Sequence, residues 1–372
     1  MSIAAGLHSR VFDTQAENDN ADAGLRLNGE GRWSLGASTD IAFDVDALLT
    51  QRERRYVNAR SLFAAYYQPT WDIRVGVDTV FWGVMEVNHL VDVINQTNYR
   101  ESFHAEEKYG QPMFAANMLL AADTNMPLAV EWYLLPWTVE REFLDPEVRL
   151  GTKLVVDESE VAYESARGQQ RLDHGGRVSQ TLGIWNYAVS YFYGNTRSPT
   201  LRPIESMAGS PTEYFPYYSV VRQVGIESQV TLDHVIYKLE AINVNTLDES
   251  YQAASVGFEY THAGVFDSSI DVGYIMEYSI DDRDASQTVY QRDVFAGCRL
   301  AWNNMQSSEL IAGINSDLET GSDVFRIQFD SRVGNQMALS LDAWLFMDVD
   351  RDDVIYALRD DSYIELELEY YF

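Results

Sequence analysis

The last stretch of the chain, Ser362 to Phe372, reads SYIELELEYYF. Ile364, Leu366, Leu368, Tyr370 and Phe372 share one parity, and Tyr363, Glu365, Glu367, Glu369 and Tyr371 share the other. Strict alternation of this kind marks a strand. Successive strand side chains point to opposite faces, so one face is apolar and the other carries three carboxylates in a row. A soluble sheet could rest the apolar face on a core. A membrane barrel turns it toward lipid and the acids toward the lumen.

The same pattern repeats upstream. Leu339, Leu341, Ala343 and Leu345 form one apolar row, Phe325, Ile327 and Phe329 the next, and Gly334-Asn335 joins them as a tight turn. Further rows run through Leu310 to Ile314, Val294 to Trp302, Ile270 to Tyr278, Ala254 to Tyr260, Val235 to Ala241 and Val220 to Val230. The first half continues with Tyr187 to Tyr193, Ala129 to Leu135, Ala115 to Ala122, Trp71 to Val77, Leu62 to Tyr66, Ile41 to Val45 and Leu25 to Leu35. Short turns such as Asn303 to Met305 and Leu232-Asp233 alternate with longer acidic connections such as Asp281 to Val289 and Asp348 to Asp360. Up-and-down barrels have this short-long asymmetry. Three long excursions interrupt it: Gly83 to Pro112, Pro136 to Gly175, and Asn195 to Tyr217 with Pro199, Pro203, Pro211 and Pro216.

Stepping back from Phe372 by parity makes Leu25 to Leu35 a descending strand, the seventeenth from the end. Gly6 to Thr14 supplies the partner that an even barrel needs, ahead of the polar link Glu17 to Asp22. The expectation is an all-β fold, a transmembrane antiparallel up-and-down β-barrel of 18 strands, or 16 if one early hairpin does not span. Residues 1–372 form a single barrel domain, since no linker or composition shift divides the chain. A large soluble β-sandwich or propeller would also alternate. The 23 Tyr and eight Trp, frequent near strand ends, favour the barrel, whose interfacial girdles are aromatic.

An aromatic-rich final strand ending in Phe372 resembles the C-terminal strand of Gram-negative outer-membrane β-barrel proteins. The stretch Trp71 to Asn98, WDIRVGVDTVFWGVMEVNHLVDVINQTN, and Tyr187 to Arg202, YAVSYFYGNTRSPTLR, resemble a poorly characterised family of proteobacterial outer-membrane proteins. That resemblance implies a porin-like barrel, with transport of apolar compounds as a variant, and transfers no catalytic residues. Within the first stretch Val84, Val87, Val91 and Ile94 recur at helical spacing, which predicts a short helix lying inside the barrel or on its rim. Trp82, Glu86, His89 and Asp92 are the candidates for narrowing the pore.

The chain carries 57 acidic against 27 basic residues, a formal charge of −30, so it lacks the basic footprint that nucleic acid requires. Cys298 is the only cysteine, which excludes an internal disulfide and a cysteine-based metal site. There is no run of 18 apolar residues, so membrane crossing must be by strands. The opening MSIAAGLHSR has no signal-peptide pattern, and the sequence reads as the mature form of an exported protein. No plug domain of the TonB-dependent kind is expected, since so little of this sequence precedes the first strands.

The polar parity of the strands carries Glu227, Glu240, Glu259, Asp271, Glu277, Asp293, Glu309, Asp330, Asp342, Glu365, Glu367 and Glu369, against Lys238, Arg299, Arg326 and Arg332. Glutamates two apart on a strand stand ~7 Å apart and repel by about 0.6 kcal/mol in water. A hydrated, cation-preferring lumen accommodates them, since rings of one sign set ion selectivity. In DVDRDD, Asp348, Asp350, Asp352 and Asp353 resemble half of a calcium loop without its glycine and closing glutamate. A solvated acidic loop is the plainer reading of them. The sharper expectation is calcium bridging these outer loops to lipopolysaccharide. His89 between Glu86 and Asp92 invites a metal or catalytic reading, but no spacing marks a nucleophile or a paired acid beside it.

The functional expectation is a non-enzymatic, porin-like outer-membrane channel for passive diffusion of small solutes, without a resident cofactor. Its partners are outer-membrane lipid and lipopolysaccharide, with homo-oligomers left open. Two rivals stand beside it: a structural, adhesive or apolar-compound-transporting barrel with a loop-filled lumen, and an outer-membrane barrel hydrolase.

Overall fold

Alternation of apolar and polar side chains leaves a strand with two unlike faces, and a closed barrel separates them while leaving no sheet edge unpaired. The computed structural model describes residues 2–13, 20–50, 54–101, 107–124, 126–204 and 213–372. Among them, eighteen strands form one closed antiparallel sheet. The first nine are β1 (Ser2–Phe12), β2 (Ala21–Ser34), β3 (Thr39–Thr50), β4 (Tyr56–Gln68), β5 (Trp71–Asp78), β6 (Gln111–Leu120), β7 (Leu128–Leu135), β8 (Asp173–Leu182) and β9 (Trp185–Asn195). The second nine are β10 (Val220–Thr231), β11 (Val235–Asn245), β12 (Ser250–His262), β13 (Asp271–Asp281), β14 (Arg292–Ala301), β15 (Glu309–Asp317), β16 (Asp323–Val333), β17 (Met337–Met347) and β18 (Tyr363–Tyr371). Each pairs with the next. β1 also pairs with β18, placing Leu7 opposite Leu368 and His8 opposite Glu367, which closes the ring.

Strand β8 belongs to none of the apolar rows read from the sequence. Its DHGGRVSQTL sequence has little apolar alternation, and the pairing of both its neighbours, β7 and β9, fixes it instead. Of the polar link 17–22, residues 21 and 22 already begin β2, while 14–19 lie outside the described residues, as do 205–212 with Pro211. A register shift between Asp44 and Val45 puts a bulge opposite them at Arg60 of β4.

Outward positions such as Leu7, Val11, Leu25, Leu27, Val189, Val224, Ile364, Leu366 and Leu368 are exposed on the barrel wall. At the end with the short turns the wall carries ring pairs: Trp33 with Phe43 at 5.1 Å, Tyr66 with Trp71 at 5.7 Å, Tyr260 with Tyr274 at 6.5 Å, Trp302 with Phe329 at 6.1 Å and Tyr370 with Phe372 at 5.0 Å. An apolar wall bordered by aromatic rings is how a barrel meets a bilayer and its interface. No helix among the described residues is long and apolar enough to cross a membrane.

The predicted short helix over Val84 to Ile94 does not form; the described helices are single 3₁₀ turns at Gly168–Gln170, Val265–Asp267 and Val354–Leu358. A helix would return the backbone N–H groups of this segment to carbonyls four residues back. Here carboxylates on the barrel wall take five of them instead, and the valine spacing reports packing against that wall.

Candidate functional site

Of the segment joining β5 to β6, residues 79–101 and 107–110 turn inward and fill one side of the barrel. Val84 and Met85 donate their N–H groups to Glu240 Oε1 at 2.6 and 3.0 Å, and Val91 donates to Oε2 at 3.3 Å. Glu86 and Val87 donate to the two oxygens of Glu277 at 2.7 and 3.1 Å. Glu240 is completely buried and Glu277 nearly so. Charged acceptors make stronger hydrogen bonds than carbonyls, so two wall carboxylates pin this inward plug.

Apolar contacts hold the same side. Trp82, Val91 and Ile94 share a core with Met113, Tyr133, Phe192 and Val244. Two wall glycines make the space. A Cβ on Gly175 would stand 2.5 Å from Ile94 Cδ1, and one on Gly225 would stand 2.8 Å from Val91 Cγ1. Asn95 accepts from Val80 N–H at 2.9 Å and donates to the carbonyls of Asp78 and Tyr109, tying the plug's two ends together.

Farther along the plug, the Glu101 carboxylate accepts from Arg26 and from Tyr56 Oη. Arg10 donates to the Glu101 carbonyl at 2.6 Å and pairs with Glu365. Arg26 also reaches Glu367 at 2.9 Å and Asp46 at 3.4 Å. Over the long-loop end, segment 136–172 crosses to the β17–β18 loop: Arg149 pairs with Asp361 at 2.6 Å, both buried, and lies 4.7 Å over the Phe12 ring. Leu150 N–H donates to Asp361 at 2.6 Å. A second apolar cluster, including Phe12, Trp344, Phe346 and Ile355, underlies that crossing. The barrel is therefore plugged within and strapped across its mouth.

The structure places every acid and base named from the polar parity on an inward-facing position of its strand, from Glu227, Glu240 and Glu259 through Asp271, Glu277, Asp293 and Glu309 to Asp330, Asp342, Glu365, Glu367 and Glu369. They do not form one ring. Glu240 and Glu277 bind the plug, and Glu365 and Glu367 meet arginines at the barrel seam. Arg299 gathers Glu86 at 2.8 Å, Glu259 at 3.5 Å and Glu309 at 2.5 Å beside a cavity of about 230 Å³ that Gln328 and Asp330 also line. Lys238 faces Glu259 at 3.8 Å, and Arg326 donates to Gln328 at 2.7 Å. A larger cavity, about 350 Å³, lies under the plug near Gly83, Arg177 and Glu227.

Of the constriction candidates, Trp82 packs edge-on against Tyr133, and both acids beside His89 turn to cations: Glu86 to Arg299 and Asp92 to Lys108 at 3.1 Å. In the acidic loop, Asp350 accepts from Asp352 N–H at 2.9 Å and Asp353 caps Ile355 N–H at 3.0 Å. Their carboxylates do not converge with those of Asp348 and Asp352 on one point. Arg10, Arg26 and the plug's own Glu101, which anchor the plug to the seam, escaped the sequence reading. Arg26 carried a signal, since it stands between Leu25 and Leu27 on the inward parity.

No protein-family model and no curated protein matches this sequence. Solved structures do. The chain is similar to Wzi, an outer-membrane protein involved in group 1 capsule assembly in Escherichia coli and a carbohydrate-binding β-barrel, with a TM-score of 0.58 at 10% identity over 99% of this chain and 83% of Wzi. The fold is that of an outer-membrane β-barrel. Looser matches are a loop-deletion mutant of OmpT, an outer-membrane protein of Vibrio cholerae, with a TM-score of 0.47 at 8% identity over 100% and 98% of the two chains. A mutant of Rh. blastica porin matches with a TM-score of 0.45 at 10% identity over 100% and 99%. At such identities the likeness is one of fold.

His89 gives the plug a pH dependence. It lies edge-on to Phe81 at 4.9 Å with neither ring nitrogen hydrogen-bonded. Burial, then the charges of Lys108, Lys238 and Arg326, push its pKa down to about 4. A released plug would take up the proton near pH 6.5. The stability contributed by neutral His89 is thus full above about pH 6.5 and lost as pH falls toward 4, by about 3 kcal/mol at most. Glu107, whose carboxyl the Glu101 charge pushes up, works in the opposite sense. The measurement is therefore a difference: hydrogen exchange of 79–101, corrected for intrinsic rates, should rise between pH 6.5 and 4.5 more in the wild type than in His89→Gln. Parallel profiles would remove His89 from this role.

Proposed function

We propose that this protein is a bacterial outer-membrane channel with a closed resting state, passing small solutes with a preference for cations once segment 79–110 leaves the carboxylates that hold it. The observation that carries this reading is the capture of five plug N–H groups by Glu240 and Glu277. A plug held only by apolar packing would be a permanent core. One held by ionisable wall groups can be released, and its departure leaves those groups facing the opened space. Release would also uncover Glu227 and Glu259 beside the two existing cavities, so the conduit would be acidic.

No catalytic chemistry is assigned under this reading, because the acids nearest His89 are engaged with Arg299 and Lys108. The rival with most support is a loop-filled surface barrel that does not conduct, which the strap across the mouth favours; the fold neighbour Wzi is described as a carbohydrate-binding barrel. Planar-bilayer recordings separate the two. Wild-type protein should show rare openings, and Glu240→Ala combined with Glu277→Ala should raise the open fraction by at least tenfold, with reversal potentials indicating cation preference. Steady wild-type current equal to the variant's would show that the plug is no gate. Silence in the variant, and in a chain with 83–95 replaced by a short glycine-serine linker, would establish the filled, non-conducting barrel.

A further inference from the structure

The seam where the barrel closes holds an unexplained arrangement. His8 on β1 is 2% exposed, faces the interior, and has neither ring nitrogen hydrogen-bonded. Its Nδ1 lies 3.5 Å from Glu365 Oε1 and 3.8 Å from Glu367 Oε2, both on β18. Each glutamate uses its other oxygen for an arginine: Glu365 Oε2 binds Arg10, and Glu367 Oε1 receives Arg26 Nε at 2.9 Å. Among the described residues this is the one His and acid group whose donor atoms all stand within 4.8 Å of one another. Asp22, on the other side of β1, is 3% exposed with both oxygens lacking a hydrogen-bond partner, and it adds negative charge beside His8.

We propose that His8, Glu365 and Glu367 form a transition-metal site, with zinc the ion suited to the donors, that joins the first and last strands of the barrel. The separations fit one ion. Donors about 2.1 Å from a tetrahedral zinc stand ~3.4 Å apart, close to the 3.5 and 3.8 Å observed. An imidazole with two carboxylates suits zinc or its neighbours in the first transition row, whereas magnesium and calcium prefer all-oxygen sets. The arginines hold the glutamates so that one oxygen of each faces His8, the outer support that metal-ligating carboxylates usually have. Three protein ligands leave the fourth position to water. The site needs three groups from strands at opposite ends of the sequence, so binding favours the closed barrel over any open sheet. It is independent of the channel reading, since neither plug carboxylate takes part.

The test uses the full chain without a histidine tag, in detergent, stripped by chelator and titrated with Zn²⁺ by calorimetry and with Co²⁺ by visible absorption. The expected result is one equivalent bound, a higher Tm with metal, and a Co²⁺ spectrum showing nitrogen and oxygen ligation at low coordination number. His8→Ala should weaken binding at least 100-fold, while His174→Ala should leave it unchanged. If His8→Ala does not fold, judged by its gel mobility before and after heating, Glu365→Gln and Glu367→Gln carry the test: each keeps the side-chain shape and should weaken binding at least tenfold. Absence of stoichiometric binding in the wild type overturns the site. So does binding that survives loss of His8, or of both glutamate charges, because it would then belong to scattered surface carboxylates.

Discussion

Arg26→Ala is expected to lower the barrel's stability by about 3 to 5 kcal/mol, because it removes one cation from a buried group of anions. The Arg26 guanidinium, nine-tenths buried, meets Asp46, Glu101 and Glu367, which come from β3, the plug and β18. Without it the carboxylates face one another with the single O–H of Tyr56, placed between Asp46, at 2.6 Å, and Glu101, to share. Arg26→Lys should recover only part of the loss, since a single ammonium cannot reach three directions with a planar fork. Chemical unfolding in lipid vesicles, followed by tryptophan fluorescence, measures the effect. A cycle with Glu101→Gln should show coupling above about 0.5 kcal/mol. A loss below about 1 kcal/mol for Arg26→Ala, or strict additivity with Glu101→Gln, would mean that Arg26 does not join the plug to the seam.

Leu366→Arg should cost roughly 2 to 4 kcal/mol through a different cause, the transfer of a charge into hydrocarbon. Leu366 lies near the middle of β18, opposite Ser9 on one side and Leu341 on the other, and points away from the lumen. Vesicle unfolding with and without the substitution gives the number; a cost under about 0.5 kcal/mol would place this position outside the bilayer. Its neighbour behaves otherwise. Read from alternation alone, Glu367→Lys should fold normally and only shift ion selectivity. With Arg26 Nε at 2.9 Å and His8 beside it, the lysine would instead meet a cation where the wild type has a partner, so destabilisation is expected there too.

How far the sequence carried is clearest along β18. The parity of Ser362 to Phe372 assigned Leu366 to the wall and Glu367 to the interior, and the same period marked every strand but one, because side chains that must separate lipid from lumen have to alternate residue by residue. Where a strand did not need that separation in its own sequence, as in DHGGRVSQTL of β8, it was invisible until its neighbours paired with it. Gly225 was in view as a strand glycine, which often marks close approach of another chain segment, while Gly175 was read as the end of a long excursion, and nothing local said that Val91 and Ile94 would occupy the space beside them.

The spacing of Val84, Val87, Val91 and Ile94 misled for a related reason. It recorded which side chains meet a wall, while the backbone conformation depended on where the N–H groups found acceptors. Those acceptors, Glu240 and Glu277, stand 149 to 191 positions away in the chain. By itself, then, the sequence determined the barrel and which face of each alternating strand looks inward, both of which follow from a period of two within single strands. Only the tertiary structure decided that the acidic interior would be occupied. Which carboxylate receives the plug, which meets an arginine and which turns to His8 depends on contacts between strands and loops brought together by closure of the ring.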